Sequence, residues 1–313
     1  MCKLTKISTK DMPREEWLEY RRKSIGGSDA GAILGLNKYT SAYALWAEKT
    51  GTLIPEDISD KEAVRLGNDL EQYVADRWME ATGKKLRREN NILYNPEYPW
   101  AHANIDRAVI GEPDAGFEAK TTSSYDVLQQ CEDGRFPDSW YCQMTHYMMV
   151  TGAKRWYLGV LVFGHGFYHF TIERNEAEIE ALAAAEQEFW ELVQNHTPPA
   201  ADGSSSSQET LRAIFRDSDG SSCDLNYMAG DIQTYAAACK QIKELEQARD
   251  QAQARIMQAM GSCEKGTGAG YKITWKTQSR STFDRKAYEN VYGPIPAAFL
   301  KQGSTRPFRV TSI

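Results

Sequence analysis

No stretch of this 313-residue chain approaches the ~18 consecutive apolar residues that a membrane-spanning helix needs. The amino-terminal segment MCKLTKISTKDMPREEW has no apolar core of the kind a secretory signal carries. The six cysteines, at 2, 131, 142, 223, 239 and 263, form no CxxC pair. That argues against a zinc ribbon or a disulfide framework and for a reducing, cytoplasmic setting. There is no GxxxxGK[ST] phosphate loop, so no ATP motor is expected. No internal repeat is evident. An excess of positive charge is missing too: 37 Lys and Arg against 43 Asp and Glu leave a net charge of −6. A nucleic-acid partner would therefore have to be met by local basic clusters.

Such clusters exist at Arg21-Arg22-Lys23, at Lys84-Lys85 with Arg87-Arg88, from Lys272 to Arg280 and from Lys301 to Arg309. With 41% hydrophobic and 11% aromatic residues the chain can build a sizeable core. The periodicity predicts helices within 13–50, interrupted at Ile25-Gly26-Gly27-Ser28-Asp29, and over 61–82, 138–151, 175–195 and 230–260. Strands are expected at 84–94, 100–110, 116–122, 154–163, 166–173 and 270–276. The fold class is therefore mixed α/β, a central sheet flanked by helices. The core is placed at 1–196. The segment TPPAADGSSSSQ at 197–208 reads as a linker. A carboxy-terminal extension at 209–313 is assigned to packing, oligomer or DNA contacts. Its strand YKITWKT alternates basic and apolar residues. It could touch a DNA backbone or be a half-buried strand.

The sharpest chemical feature is the hairpin NIDRAV at 104–109, a turn, then FEAKT at 117–121. Glu118 and Lys120 are two apart on a strand and face one side. Asp106 and Glu118 could together present two carboxylates to one divalent cation, and magnesium favours such hard oxygen ligands. Lys120 could orient a water or contact a phosphate. The literal Pro113-Asp114 lies in the turn and cannot supply that carboxylate. Glu71 borders the apolar stripe of the helix GNDLEQYVADRWMEATG and is a candidate third ligand. Gln143 and Tyr147 are four residues apart on a helix, where Gln143 could hydrogen-bond a water or a phosphate. His102 shares a strand face with Asp106 and is a weaker candidate for substrate contact.

The ordered set RRKSIGGSDAGAILG, GNDLEQYV, the hairpin Asp, EAKT and QMTHYM resembles the YqaJ-like viral recombinase family. That family is grouped with phage lambda exonuclease in the PD-(D/E)XK nuclease superfamily. The resemblance covers roughly residues 14–195. It implies Asp106, Glu118 and the carbonyl of Ala119 as metal ligands, Lys120 as the catalytic lysine and Glu71 near a second metal. It places Gln143 beside them. The Trp17-x-x-x-Arg21 segment resembles a 5′-phosphate site, with Arg21 as the ligand, Ser28 as a helper, and Arg22 as the alternative to Arg21. Tyr147 is included among the DNA-facing residues.

The resemblance further implies a 5′→3′ exonuclease on linear double-stranded DNA. It would depend on Mg2+, with Mn2+ able to substitute, and would release mononucleotides and leave 3′ single-stranded tails. The implied assembly is a homo-oligomeric ring around DNA, a trimer favoured. The implied partner is a phage-type single-strand annealing protein. Two rival readings share the fold: an endonuclease, and a non-catalytic protein that binds DNA ends.

Overall fold

A computed structural model describes residues 4–301 and 306–311. The chain divides after Phe215 into two units. Cys2 and part of the basic cluster at 301–309 lie outside the described residues.

The first unit is built around a five-stranded sheet. Its strands are β2 (Lys85–Arg88), β5 (Arg107–Ile110), β6 (Ala115–Thr122), β7 (Arg155–Val162) and β8 (Gly166–Glu173), in the order β2-β5-β6-β7-β8. Only the β6/β7 pair is parallel. A second sheet joins β1 (Thr5–Ser8), β3 (Asn91–Tyr94) and β4 (His102–Asn104) in the order β1-β3-β4.

The two long strands expected at 84–94 and 100–110 are therefore each divided between two sheets. β2 pairs β5, whereas β3 pairs β4. Glu89-Asn90 and Ile105-Asp106 fall at the break, outside both ladders. Asp106 thus stands at the mouth of a strand and not within one.

Alternation along β6 sends its side chains to two different layers. Phe117 packs with Val74, Trp78, Val109 and Tyr157 beneath α4 (Glu62–Thr82). Gly116, Glu118 and Lys120 face α6 (Asp138–Thr151), where Met144, Met148, Trp156, Leu158 and Val160 form the larger core cluster. α1 (Arg14–Arg22), α2 (Gly27–Ile33) and α3 (Ala42–Lys49) precede α4 in the chain, and α2 packs on α6. α7 (Glu176–Gln194) packs on α6 as well.

Two further helices of this unit were not expected. Residues Tyr125–Glu132 form α5, capped by Ser124 Oγ accepting from Val127 N, with Val127, Leu128 and Cys131 buried. Residues Ser205–Ile214 form α8, which enters the segment read as a linker. Ser204 Oγ caps it at Ser207 N. Ser207 and Thr210 are buried, and the Ser41 amide donates to Ser206 Oγ at 3.0 Å. The serine run supplies a cap and a small contact face against α3 rather than a tether.

The second unit carries α9 (Ala229–Met260), an antiparallel ribbon of β9 (Lys265–Gly268) and β10 (Tyr271–Thr274), and α10 (Arg285–Tyr292). The helix expected over 230–260 is present, and its stripe of Ile232, Tyr235, Ile242 and Ile256 is exposed. The strand expected at 270–276 is shorter and belongs to the ribbon. No helix among the described residues is long and apolar enough to cross a membrane.

Candidate active site

The turn between β5 and β6 sets Arg107 opposite Phe117 and Ala108 opposite Gly116. Asp106, one residue upstream, is thereby brought level with the Glu118–Ala119 segment. Its Oδ2 accepts from the Ala119 amide at 2.9 Å. Glu118 is almost fully buried. Its Oε1 accepts from Lys120 Nζ at 2.7 Å and from Gln143 Nε2 at 2.7 Å. Gln143 Oε1 accepts from Lys120 Nζ at 2.8 Å, which closes a three-residue ring of hydrogen bonds. Gln143 Nε2 also donates to Tyr147 Oη at 2.8 Å. Strand spacing explains the first pair, and the i, i+4 spacing on α6 explains the second.

Burial raises the Asp106 carboxyl well above the usual carboxylate range, reinforced by the nearby charges of Glu118 and Glu71. Burial also pushes the Tyr147 hydroxyl far up, again with Glu118 and Asp106 contributing. The pocket therefore concentrates negative charge. Glu118 Oε2 is buried with no hydrogen-bond partner.

Glu71, the candidate third ligand, acts on Asp106 through its charge and has a partner of its own. It is ion-paired with Arg107, a buried arginine that also donates to the Asp106 carbonyl at 2.9 Å and to Gln72 Oε1 at 3.3 Å. Among the described residues, no group of three or more His, Cys, Asp and Glu side chains is arranged to hold a metal ion. Asp106 and Glu118 are a two-carboxylate set, to which the Ala119 carbonyl could add. Magnesium accepts such a small protein share because it keeps several of its waters. The orphaned Glu118 oxygen and the raised Asp106 fit a cation at this point.

The second part of the site is the α1–α2 junction. Arg21 Nη2 donates to Ser28 Oγ at 2.9 Å, and its guanidinium lies 4.8 Å from the Trp17 ring centre. Arg22 is exposed, so the structure brings Arg21 and not Arg22 to Ser28. Tyr147, hydrogen-bonded to Gln143, reaches this junction by packing against Gly27 of α2. The approach is close: a Cβ on Gly27 would lie 2.5 Å from Tyr147 Cε1.

Beneath the junction lies a buried polar network that the sequence reading missed. Lys49 Nζ pairs with Asp29 Oδ2 at 2.7 Å and donates to the carbonyls of Arg21 at 2.7 Å and Ser24 at 2.9 Å. Asp29 also accepts from the Gly26 amide at 2.9 Å. Although burial pushes its pKa up, Lys49 and Arg21 outweigh that and hold Asp29 down at about 2. His102 is buried with Nδ1 2.8 Å from Ser24 Oγ, rather than presented to substrate. Its backbone carbonyl meets His146 Nε2 at 2.8 Å, and His146 Nδ1 lies 2.7 Å from Glu186. The available signal was a lysine on a helix otherwise facing the core, in LWAEK.

Lys120 opens onto a cleft of about 850 Å³, bordered by Tyr39, Thr121, Asp126, Arg135 and Trp140.

The YqaJ-like viral recombinase domain matches residues 16–154. Protein YqaJ of Bacillus subtilis (strain 168), described as uncharacterized, is 36% identical over 308 residues, which span 97% of this chain and 96% of that protein. The chain belongs to the YqaJ family. Among solved structures, the alkaline exonuclease LHK-Exo of Laribacter hongkongensis superposes with a TM-score of 0.51 at 17% identity, over 64% of this chain and 98% of that one. The same enzyme in complex with dAMP gives a TM-score of 0.50 at 18% identity, over 64% and 96% of the two chains. The family member described here thus shares the fold of the alkaline exonuclease LHK-Exo.

Proposed function

We propose that this protein is a metal-dependent 5′→3′ exonuclease on linear double-stranded DNA that serves recombination by strand annealing. The observation that carries the reading is the closed Glu118–Lys120–Gln143 ring beside Asp106, extended by Gln143 to Tyr147, whose ring lies close against Gly27 at the start of α2. A protein that merely binds DNA ends has no need to bury Glu118 against an ammonium and an amide, with that ammonium bordering a cleft. The relatives' descriptions as a viral recombinase domain and as alkaline exonucleases support the same reading.

In this reading Asp106, Glu118 and the Ala119 carbonyl hold Mg2+, or Mn2+ in its place. When bound, the ion supplies charge compensation on phosphoryl oxygens and eases deprotonation of water. Lys120 has three N–H groups, two of them taken by Glu118 and Gln143. The third is available for the attacking water or for a phosphate oxygen. Gln143 fixes the lysine by accepting from it while donating to Glu118, so the ammonium stays aimed with little rotamer freedom. Arg21, at the amino-terminal side of α2 with Ser28, is suited to a terminal phosphate, which a guanidinium grips through paired N–H donors. Attack of water on phosphorus breaks the P–O3′ bond and frees a 5′-mononucleotide. The shortened strand begins again with a 5′-phosphate, so the same grip serves the next cycle. The complex of LHK-Exo with dAMP fits release of nucleoside monophosphates.

The proposal includes a homo-oligomeric ring, a trimer favoured, and a single-strand annealing protein that receives the 3′ tail. A closed ring would reconcile a net charge of −6 with DNA binding by keeping basic residues on its inner wall.

The decisive test offers purified protein linear 5′-phosphorylated duplex and covalently closed circular duplex, with magnesium or with chelator. The expected result is magnesium-dependent loss of the linear DNA alone, abolished by Lys120→Ala. Cutting of the circle would make it an endonuclease. End binding without cleavage of either DNA would refute the enzyme.

A further inference from the structure

The charge of the chain is unevenly distributed. Between Gly261 and Ile313 there are nine Lys and Arg against three Asp and Glu, a local +6 within a chain of −6. The same segment carries seven aromatic residues. Tyr271 is 76% exposed and Phe283 70% exposed.

The β9/β10 ribbon organises part of this charge. Its register sets Lys272 opposite Thr267 and Thr274 opposite Lys265. Directly opposed residues share a face, and alternate residues along a strand do too. One face therefore presents Lys265, Thr267, Lys272 and Thr274. Lys276 follows two residues after the end of β10 and is exposed. The other face presents Tyr271 and Ile273 across from Gly268 and Gly266. It is anchored at Gly266, where Met260 from the end of α9 lies within van der Waals reach of an added Cβ. The lysine face is exposed and carries no carboxylate. The chain continues the ladder by one bond, Trp275 N to the Glu264 carbonyl at 2.9 Å.

We infer that the lysine face of this ribbon is a second DNA contact, one that binds the phosphate backbone of single-stranded DNA. Two ammonium groups and two hydroxyls on the strand pair, with Lys276 two residues past its end, suit a row of phosphates. Tyr271, exposed on the opposite face of the same two-stranded ribbon, is placed to stack with bases that turn past the ribbon edge, and only unpaired bases can do so. The contact lies in a different unit from the Lys120 cleft, so it is separable from cleavage. The inference rests on the proposed function in one respect only: resection of a duplex is what would supply the single strand.

The test uses the full-length protein and a fluorescent thirty-residue oligo-dT, in chelator so that no cleavage intervenes. Anisotropy titrations are run between 50 and 200 mM salt for wild type, for the triple Lys265/Lys272/Lys276→Gln variant, and for the triple Lys→Arg variant. Loss of three phosphate contacts at ~0.7 per contact lowers the salt slope by about 2. Wild type should then lose about 20-fold more affinity than the Gln variant across that range. At 50 mM the Gln variant should bind at least tenfold more weakly, and the Arg variant should match wild type. Cleavage of a short linear duplex, assayed separately with magnesium, should keep its initial rate in the Gln variant. Equal affinity and slope in wild type and the Gln variant overturn the inference. So does a change of oligomeric state in sedimentation with oligo-dT binding intact, which would make the face an interface between copies. Absence of duplex cleavage in wild type with oligo-dT binding still lost in the Gln variant would refute the nuclease and keep this contact.

Discussion

Substituting Lys49 by methionine perturbs the α1–α2 junction without removing any side chain of the Asp106–Glu118–Lys120 cluster. The side chain is 1% exposed, and its ammonium satisfies a carboxylate and two carbonyls at once. Methionine fills a similar volume but leaves Asp29 charged and buried, with only the Gly26 amide and the field of Arg21 to compensate it. Breaking a buried pair on one side costs about 3–5 kcal/mol. That is a large part of the ~5–15 kcal/mol that a domain has in total. Seven of the eight tryptophans lie before Phe215, so tryptophan emission in urea follows the first unit. With a slope of ~3 kcal/mol per M, the midpoint should fall by about 1–2 M. The double variant Lys49→Met/Asp29→Asn should recover more than half of the loss, because no unpaired charge remains. A Lys49→Met protein within 1 kcal/mol of wild type would refute the view that this pair holds the junction. So would a double variant as unstable as the single one. Asp29 adds a pH signature. Its pKa is held at about 2, below its ordinary 3.8, so its stabilising share is present above about pH 4 and disappears as pH falls towards 2. Lys49→Met should remove that acid-limb contribution.

Gly27→Ala should drive the Tyr147 ring aside, since the new methyl would sit 2.5 Å from Cε1. Overpacking of this kind costs about 1–3 kcal/mol, and nuclease activity on linear duplex should drop more than tenfold with the Tyr147–Gln143 bond displaced. Wild-type activity in that variant would refute a role for Tyr147. Gln143→Ala should leave Lys120 with one anchor and lower the turnover number about 10–100-fold, against complete loss in Lys120→Ala, as read in single-turnover kinetics. Histidine titration gives two separate windows. Burial, then the Lys49 charge, press His102 down to about 3. It therefore stays neutral in the fold while the unfolded chain takes up a proton below ~6.5. Stability should fall as pH drops from about 6.5, at up to ~1.4 kcal/mol per pH unit, and His102→Gln should flatten that limb of a melting-temperature profile. For His146, burial acts downward but Glu186 and the His102 carbonyl outweigh it and raise the pKa. Its contribution is complete below ~6.5 and declines only as pH rises through the raised value, so His146→Gln should alter the alkaline limb.

Much of this was legible because strand and helix periods are local properties. Glu118 and Lys120 share a face by alternation alone, and Gln143 and Tyr147 by helical spacing, so the hydrogen-bonded ring needed only the correct docking of α6 on β6. The division of the strands at 89–90 and 105–106 was not legible. It depends on a second sheet whose first strand, at Thr5–Ser8, has no strong alternation of its own. Arg107 was passed over for a related reason. Its partner Glu71 comes from a helix 36 positions earlier, and only the tertiary fold places that carboxylate beside it. The Ser-rich stretch was misread because composition reports low hydrophobicity but not the α3 face against which Ser207 and Thr210 are buried. Glu71 illustrates the limit for the site as well. The apolar stripe located it near the sheet, but the pairing with Arg107 could not be read from spacing.

The contact of Gly116 with Trp156 fixes which way the central strand can be threaded. A Cβ at 116 would lie 2.3 Å from the indole, so the ring occupies the place of a side chain. The parallel ladder pairs Gly116 with Trp156 and Glu118 with Leu158 over eight residues. A slip of one position would turn Phe117 into the cleft and drive Glu118 and Lys120 into the layer of Trp78. A bulkier residue would then meet the indole, and two charges would be stranded in an apolar layer. The glycine therefore acts as a threading key, and the fidelity of strand assembly during folding is the same property that delivers the carboxylate and the ammonium to one side.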